Sequence, residues 1–312
     1  MQSNLDAINE AGARARRTKE NVADLPRLYR NACHHLALAR GRAYSPRLIE
    51  RLSRVVLRGH QVMYSKRPNV LRAVMSFITL EYPRLFREQW RYMLAAGILF
   101  FGTFFTMLIV VQMFPHMVYT VLDPWQVKSM EVMYKPEVNE RLGPSRDSDS
   151  DFQMFGFYIK NNTGIGFQTF AGGLVFGIGT LFFLVYNGLV VGAAAGHLTG
   201  LGYIETFWGF VAGHSAPELT AIMLSGAAGL KLGWALIAPG QKTRLRALRD
   251  AATTGVRIIY GAALLFLLAA FIEAFWSSMS SIPVQAKYTT GIVFWFGLWY
   301  YLLMVGRSQR AV

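Results

Sequence analysis

The sequence predicts an all-α polytopic membrane protein, and three observations predict it. Of its 312 residues, 53% are hydrophobic. They gather in runs long enough, at about 1.5 Å per helical residue, to cross the ~30 Å hydrocarbon core of a bilayer. Glycines recur every fourth residue at 188, 192, 196 and 200 inside such a run, the spacing that lets two helix backbones approach closely in lipid. The formal charge of +14 is segregated along the chain.

Residues 1–92 hold 18 Lys and Arg against 7 Asp and Glu, residues 117–163 hold 5 against 7, and residues 241–257 hold 5 against 1. Basic flanks of apolar spans stay on the cytoplasmic side. The N-terminus and a basic loop at 241–257 are therefore expected inside, and a loop at 117–163 outside. The basicity is then topological. No aromatic-interleaved basic groove accompanies it, so anionic lipid headgroups are the expected partner and nucleic acid is not. The single Cys33 offers neither an internal disulfide nor a cysteine pair for a metal. No short apolar region with a small-residue cleavage site opens the chain, so no signal peptide is expected.

The first element, residues 1–76, reads as a cytoplasmic helical region. Leu25, Leu28, Tyr29 and Leu36, then Leu48, Leu52, Val55 and Val56, recur at helical spacing. Ser45 and Pro46 mark a helix start, so the pattern predicts a helical hairpin. The arginines at 14, 16 and 17, and Arg47, Arg51, Arg54 and Arg58, read as a solvated face or as a docking face for a partner or the inner leaflet. His34, His35 and His60 lack the spacing of a metal pair.

Residues 77–92 mix apolar and basic side chains around Pro83, with Trp90, Tyr92 and Arg84, Arg87 and Arg91 as interface anchors. An amphipathic segment along the inner leaflet is expected there. The transmembrane domain follows over residues 93–306. Its spans are expected at 93–115, 167–191, 258–276 and 291–306, and residues 307–312 form a cytoplasmic tail. In the outer loop, Asp147, Asp149 and Asp151 alternate like calcium ligands, but the glycine and closing glutamate of such a loop are missing.

Charge parity requires residues 192–238 to cross an even number of times, as a full hairpin or as a re-entrant pair. A helix break is expected at Gly213-His214-Ser215. Gly213 is a terminator, Ser215 an N-cap, Pro217 a first-turn residue, and Ser215 with Glu218 matches a capping box. Such an end at membrane depth has to be enclosed by protein or line a polar cavity.

Ionisable side chains in apolar spans are the first candidates for function. They are His197, His214, Glu218, Lys231 and Glu273. His214 and Glu218 share one turn and form the central candidate pair, able to relay a proton or grip a polar group. They can equally serve to cap and satisfy the break. His197 is a possible third member, yet no His-Glu-x-x-His pattern or cysteine set supports a metal, and no cofactor is expected. A bland account is open for the other two as well: Lys231 can snorkel, and Glu273 can lie near the outer interface. Asn161 and Asn162 are expected to open the second span, and Asn187 to need an interhelical partner. Gly188, Gly192, Gly196, Gly200, Gly229 and Gly233 are the expected packing positions.

The residues Leu25-Pro-Arg-Leu-Tyr-Arg30, Leu36 to Arg40, His60, Tyr64, Asn161-Asn162 and Asn187-Gly188 form a pattern, and so above all do Gly213-His-Ser-Ala-Pro-Glu-Leu219 and Gly226 to Gly233. Together they resemble the stage II sporulation protein M family of integral membrane proteins over nearly the whole chain. Ser215 stands where that family usually has glycine, and the N-terminal soluble part is short. The namesake is a membrane component of a wall-remodelling assembly during engulfment, and most relatives belong to bacteria that make no spores. The resemblance supplies no biochemical activity; with the charge pattern beside it, the expectation is a non-enzymatic protein of the bacterial inner membrane, both termini cytoplasmic, assembling with protein partners or with itself in envelope organisation. The alternative is a transporter or flippase with a polar cavity at Gly213 to Glu218.

Overall fold

In lipid, a chain without closed sheets satisfies its backbone only within helices. A computed structural model describes residues 25–64, 70–136, 148–279 and 281–307, and no strand occurs among them. The chain forms two compact units, Met1–Ala73 and Val74–Val312.

In the first unit, α1 (Leu25–Gly41) and α2 (Pro46–Tyr64) form a hairpin. Pro46 opens α2 because its missing N–H falls where a helix has no partner for one. Ala32 and Ala39 of α1 bury against Leu52 and Val55 of α2. The two alanines let the helices close, and Gly59 leaves room for the Tyr29 ring. Arg47, Arg51, Arg54 and Arg58 are exposed. The basic cluster at residues 14–17 lies outside the described residues. A short α3 (Val70–Ser76) leads into the second unit.

The second unit begins with a π-turn (Phe77–Glu81) and α4 (Tyr82–Glu88). This stretch does not keep an apolar face free for a leaflet: Tyr82, Pro83, Leu85 and Phe86 are buried in the bundle. Tyr82 Oη donates to Ile258 O (3.2 Å), and Tyr301 Oη donates to Ile78 O (2.6 Å). Next come α5 (Trp90–Met113), a 3₁₀ turn (Pro115–Thr120) and α6 (Pro124–Tyr134), whose start is capped by Asp123 and Gln126. Then follow α7 (Ser148–Ala171), α8 (Ile178–Gly200), α9 (Gly209–Ile237) extended at its start by a π-turn (Ile204–Trp208), α10 (Arg244–Ile272) continued by a π-turn (Glu273–Ser277), and α11 (Val284–Met304).

Four of these helices, Trp90–Met113, Ile178–Gly200, Ile204–Ile237 and Arg244–Ser277, are long and apolar enough to cross a membrane. Neighbouring residues give their directions. Gly188 and Gly196 of α8 lie on Phe100 and Leu108 of α5, so these two run parallel. Gly226 of α9 faces Leu184 of α8, and Gly213 of α9 faces Ile272 and Trp276 after α10, so α9 is antiparallel to both. α11 runs with α9, since Gly291 meets Ala212 and Trp295 meets Ser215. α7 also runs with α9, with Gly166 beside Ser225 and Gly173 beside Gly229.

Two expectations about the elements are corrected. Residues 117–163 are not an open loop, because α6 and the first two thirds of α7 lie within them. Residues 167–191 are not one helix. The chain turns at 172–177, where Phe176 and Gly177 have positive φ (51° and 82°) and Gly172 packs on the backbone of Gly179. Thr180 Oγ1 donates to Thr169 O (2.7 Å) across this turn. The apolar run is long enough for one span, but close glycine packing and a left-handed pair make it a corner. α7, α8 and α9 stand where one span and a hairpin are expected; of the expected spans, 167–191 is divided by this corner, and α11, over the expected span 291–306, is not among the four helices long and apolar enough to cross.

Candidate functional site

The break expected at Gly213-His214-Ser215 does not occur. α9 runs unbroken from Gly209 to Ile237 with Pro217 inside it. Ser215 Oγ donates to Ala212 O (3.2 Å) and accepts from Trp295 Nε1 (3.2 Å), so it caps nothing, and Glu218 closes no capping box. The reversal lies earlier, at Gly202 (φ 81°). A proline inside a membrane helix persists when neighbours take up what it frees, and Pro217 is buried among them.

Although the helix is continuous, its polar residues face protein. His214 is 4% exposed. Its Nδ1 lies 3.2 Å from Ser277 Oγ, and its Nε2 lies 3.8 Å from Glu218 Oε2, beyond hydrogen-bond length. Ser277 belongs to the π-turn that also carries Glu273, and its carbonyl accepts from Lys287 Nζ (2.8 Å). Ligand atoms of His214, Glu218 and Glu273 all lie within 4.8 Å of one another. Glu218 stands 14 residues from Ile204, about 21 Å along a helix of 34 residues that is long and apolar enough to cross a membrane.

Around this cluster the polar groups are only partly satisfied. Asn162, 3% exposed and in the middle of α7, lies within reach of Glu273. Yet Glu273 Oε2 and Asn162 Nδ2 are buried without a hydrogen-bond partner, while Asn162 Oδ1 accepts from Asn161 Nδ2 (2.9 Å). Tyr134, at the end of α6, has its phenol held above its ordinary range by burial and then by the nearby Glu273 carboxylate.

The cluster forms one wall of a cavity of about 670 Å³ between α5, α8, α9 and α11. Most of the remaining wall is aromatic, including Phe101, Phe104, Trp208, Phe210, Trp295 and Trp299. Phe105 lines it and is also 55% exposed on the outer side of α5. Ile98 and Ile109 of the same helix are also exposed apolar residues.

The other candidates lie elsewhere. His197 Nε2 pairs with Glu131 Oε1 of α6 (3.0 Å) and is not part of the three-residue cluster. Asn187 Nδ2 donates to Phe183 O (2.7 Å) of its own helix, so the interhelical partner expected for it is not needed. Asn161 and Asn162 lie inside α7 instead of opening a span. Lys231 Nζ donates to Gln89 Oε1 (2.8 Å) and lies over the Tyr92 ring instead of snorkelling alone. Glu273, one of the ionisable candidates of the apolar runs, joins His214 and Glu218. Its signal was an acid within an apolar run; only the antiparallel pairing of α9 and α10 shows which residues it meets.

Among the glycines, a Cβ at Gly188 or Gly196 would stand 2.6 Å from Phe100 O or Leu108 O, and Gly192 meets Phe104 O likewise. A Cβ at Gly229 would stand 2.7 Å from Thr169 O, and Gly233 packs on Phe176 and Gly177. Gly200, expected on the same stripe, has nothing within 4 Å.

Comparison with known families gives one informative match. The model of the Stage II sporulation protein M family matches residues 95–278, which include His214, Glu218, Glu273 and Asn162. A model described only as a domain of unknown function matches residues 5–65. No curated protein and no solved structure matches. With four helices able to cross a bilayer and more than half its length matched, the chain is a membrane protein that belongs to the stage II sporulation protein M family.

Proposed function

We propose that this protein serves the cell envelope by holding an amphiphilic molecule of the bilayer in the aromatic cavity, its polar end toward His214, Glu218 and Glu273. The observation that carries the reading is the pairing of an apolar, aromatic-lined cavity, whose wall includes the exposed Phe105, with a buried polar cluster at its back. Such a site suits a ligand with an apolar body and a polar end. Family membership supplies the sporulation or envelope context. The segregated charge supports an inner-membrane location with both termini cytoplasmic.

The role is binding or transfer without covalent chemistry. The hydroxyl that touches His214 belongs to Ser277, which is 2% exposed and does not line the cavity. A nucleophile has to be presented to its substrate. The test is native mass spectrometry of the protein released from membranes or nanodiscs, beside a cavity-filling Val211→Trp variant. A bound lipid mass in the wild type that disappears in a folded V211W supports the reading. Wild-type protein that is lipid-free, or a lipid that survives in V211W, overturns it.

A second reading, assembly with protein partners, draws on the exposed row Arg47, Arg51, Arg54 and Arg58 of α2, which suits an acidic partner surface. Affinity purification at native expression tests it. Recovery of the bare protein, or of the same partners after charge reversal of that row, counts against it.

A further inference from the structure

We propose that His214 Nε2, Glu218 and Glu273 form a binding site for a divalent transition-metal ion of the zinc class, its open coordination position facing the cavity. The three ligand atoms lie within 4.8 Å of one another. The 3.8 Å between His214 Nε2 and Glu218 Oε2 is too long for a hydrogen bond. It is the span of an ion bridging the two, since metal bonds of about 2.0–2.2 Å to nitrogen and carboxylate oxygen reach pairs up to roughly 4.3 Å apart. The bound that includes Glu273 is 4.8 Å, so binding draws its carboxylate a few tenths of an ångström or more toward the other two.

Three further observations point to a ligand. Glu273 Oε2 is a buried carboxylate oxygen with no hydrogen-bond partner, an arrangement that costs free energy unless something binds it. Two carboxyls on adjoining helices within an apolar bundle can both be ionised only beside a cation, and otherwise hold a proton; a shared metal ion takes the place of that proton. The imidazole is set as in metal sites. Nδ1 lies 3.2 Å from Ser277 Oγ, so the tautomer that donates to this hydroxyl leaves the Nε2 lone pair on the carboxylate side, and the Ser277 carbonyl is itself held by Lys287 Nζ (2.8 Å). One imidazole and two carboxylates are a ligand set for zinc or manganese, and three protein ligands leave a position for water or an anionic oxygen. That this oxygen comes from the headgroup of the amphiphile rests on the function proposed above; the metal does not.

The test uses the full chain in detergent, stripped with a chelator and dialysed against Zn²⁺ or Mn²⁺, with bound metal counted by plasma mass spectrometry. Co²⁺ substitution read by visible absorption reports the geometry. One stoichiometric ion is expected. His214→Gln and Glu273→Gln should each weaken affinity about tenfold or more, and Ser277→Ala should weaken it by a smaller factor. Wild-type protein that remains substoichiometric with both ions overturns the proposal, as does equal uptake by a folded Glu218→Gln/Glu273→Gln double variant. If the variants do not fold, the wild-type Co²⁺ spectrum decides. Intense bands of low coordination support the site, and the weak spectrum of the hydrated ion refutes it. Metal bound by delipidated protein or by V211W separates this proposal from the lipid reading.

Discussion

Replacing Gly196 by alanine tests whether backbone contact holds α8 on α5. The added Cβ would stand 2.6 Å from Leu108 O, 3.1 Å from its Cα and 3.2 Å from its carbonyl carbon. All three are main-chain atoms, so no side chain can swing aside. Ordinary contact begins near 3.4 Å, and the helices must separate by about 0.8 Å to restore it. A gap of that size forfeits a quarter to a half of each contact along the seam. Weak Cα–H···O contacts at the three glycines, roughly 0.5–1 kcal/mol each, lose about 1 kcal/mol together. Local overpacking adds about 1–3 kcal/mol. Gly200→Ala is the internal control: nothing lies within 4 Å of it, and alanine's helix propensity favours the change by up to about 1 kcal/mol. Equilibrium unfolding in mixed micelles should therefore place G196A about 2 kcal/mol or more below the wild type, with G200A level or slightly above. Equal stability of the two variants would refute the reasoning.

Glu131 supplies a pH dependence. The hydrogen bond with His197, and less strongly Lys128, holds its carboxyl below the usual carboxylate range. A lowered folded value stabilises at pH above the unfolded value of about 4.3, and this stabilisation is lost as pH falls through the folded value. The stability difference between wild type and Glu131→Gln should thus be present at neutral pH and shrink steadily as pH falls below about 4.3; a difference constant from about pH 7 to about pH 2 contradicts it. Arg87 Nη1 donates to Leu302 O (3.0 Å) and Val305 O (2.8 Å) at the end of α11, and burial lowers its pKa. Arg87→Met should cost about 2 kcal/mol and speed hydrogen exchange in the last turn of α11, whereas unchanged exchange there means the contacts carry little. Pro217→Ala restores a backbone donor within a continuous helix and should leave α9 at least as stable; a loss of stability and helix content would favour a capped break at Ser215.

The all-α class and the α1–α2 hairpin were legible because apolar run length reports on what a bilayer tolerates and helical spacing reports on the buried seam of a hairpin. Boundaries inside the glycine-rich stretch were not. Gly-His-Ser-Ala-Pro-Glu carries every local mark of a helix start, yet α10 and α11 enclose it and the helix continues. Conversely, Leu174-Val-Phe176 reads as the middle of a span, and only the approach of Gly173 to Gly229 and of Gly177 to Gly233 makes it a corner. His214 and Glu218 were legible as neighbours from their spacing alone. Glu273 and Asn162 joined them through tertiary contacts between α7, α9 and α10 that no local pattern encodes.

The placement of the polar cluster follows from shielding. Of the four helices able to cross a bilayer, the one carrying His214 and Glu218 is 67% buried inside the bundle over its most apolar window, against 28%, 33% and 44% for the others. An ionisable group on the least shielded helix, Trp90–Met113, would face acyl chains at a cost of several kcal/mol. On α9 it faces other helices or the cavity, and the neighbouring backbones can supply partners. The small residues of α9 that admit these neighbours, Gly213 beside Trp276 and Ala212 beside Gly291, flank His214 by one and two positions. The same close packing that hides the imidazole from lipid also brings the Glu273 turn against it. Enlarging Gly213 should therefore disturb the cluster without touching any of its ligands, and the metal affinity of a folded Gly213→Ala variant would fall. Affinity unchanged in G213A would mean that the π-turn keeps Glu273 in place independently of the helix seam.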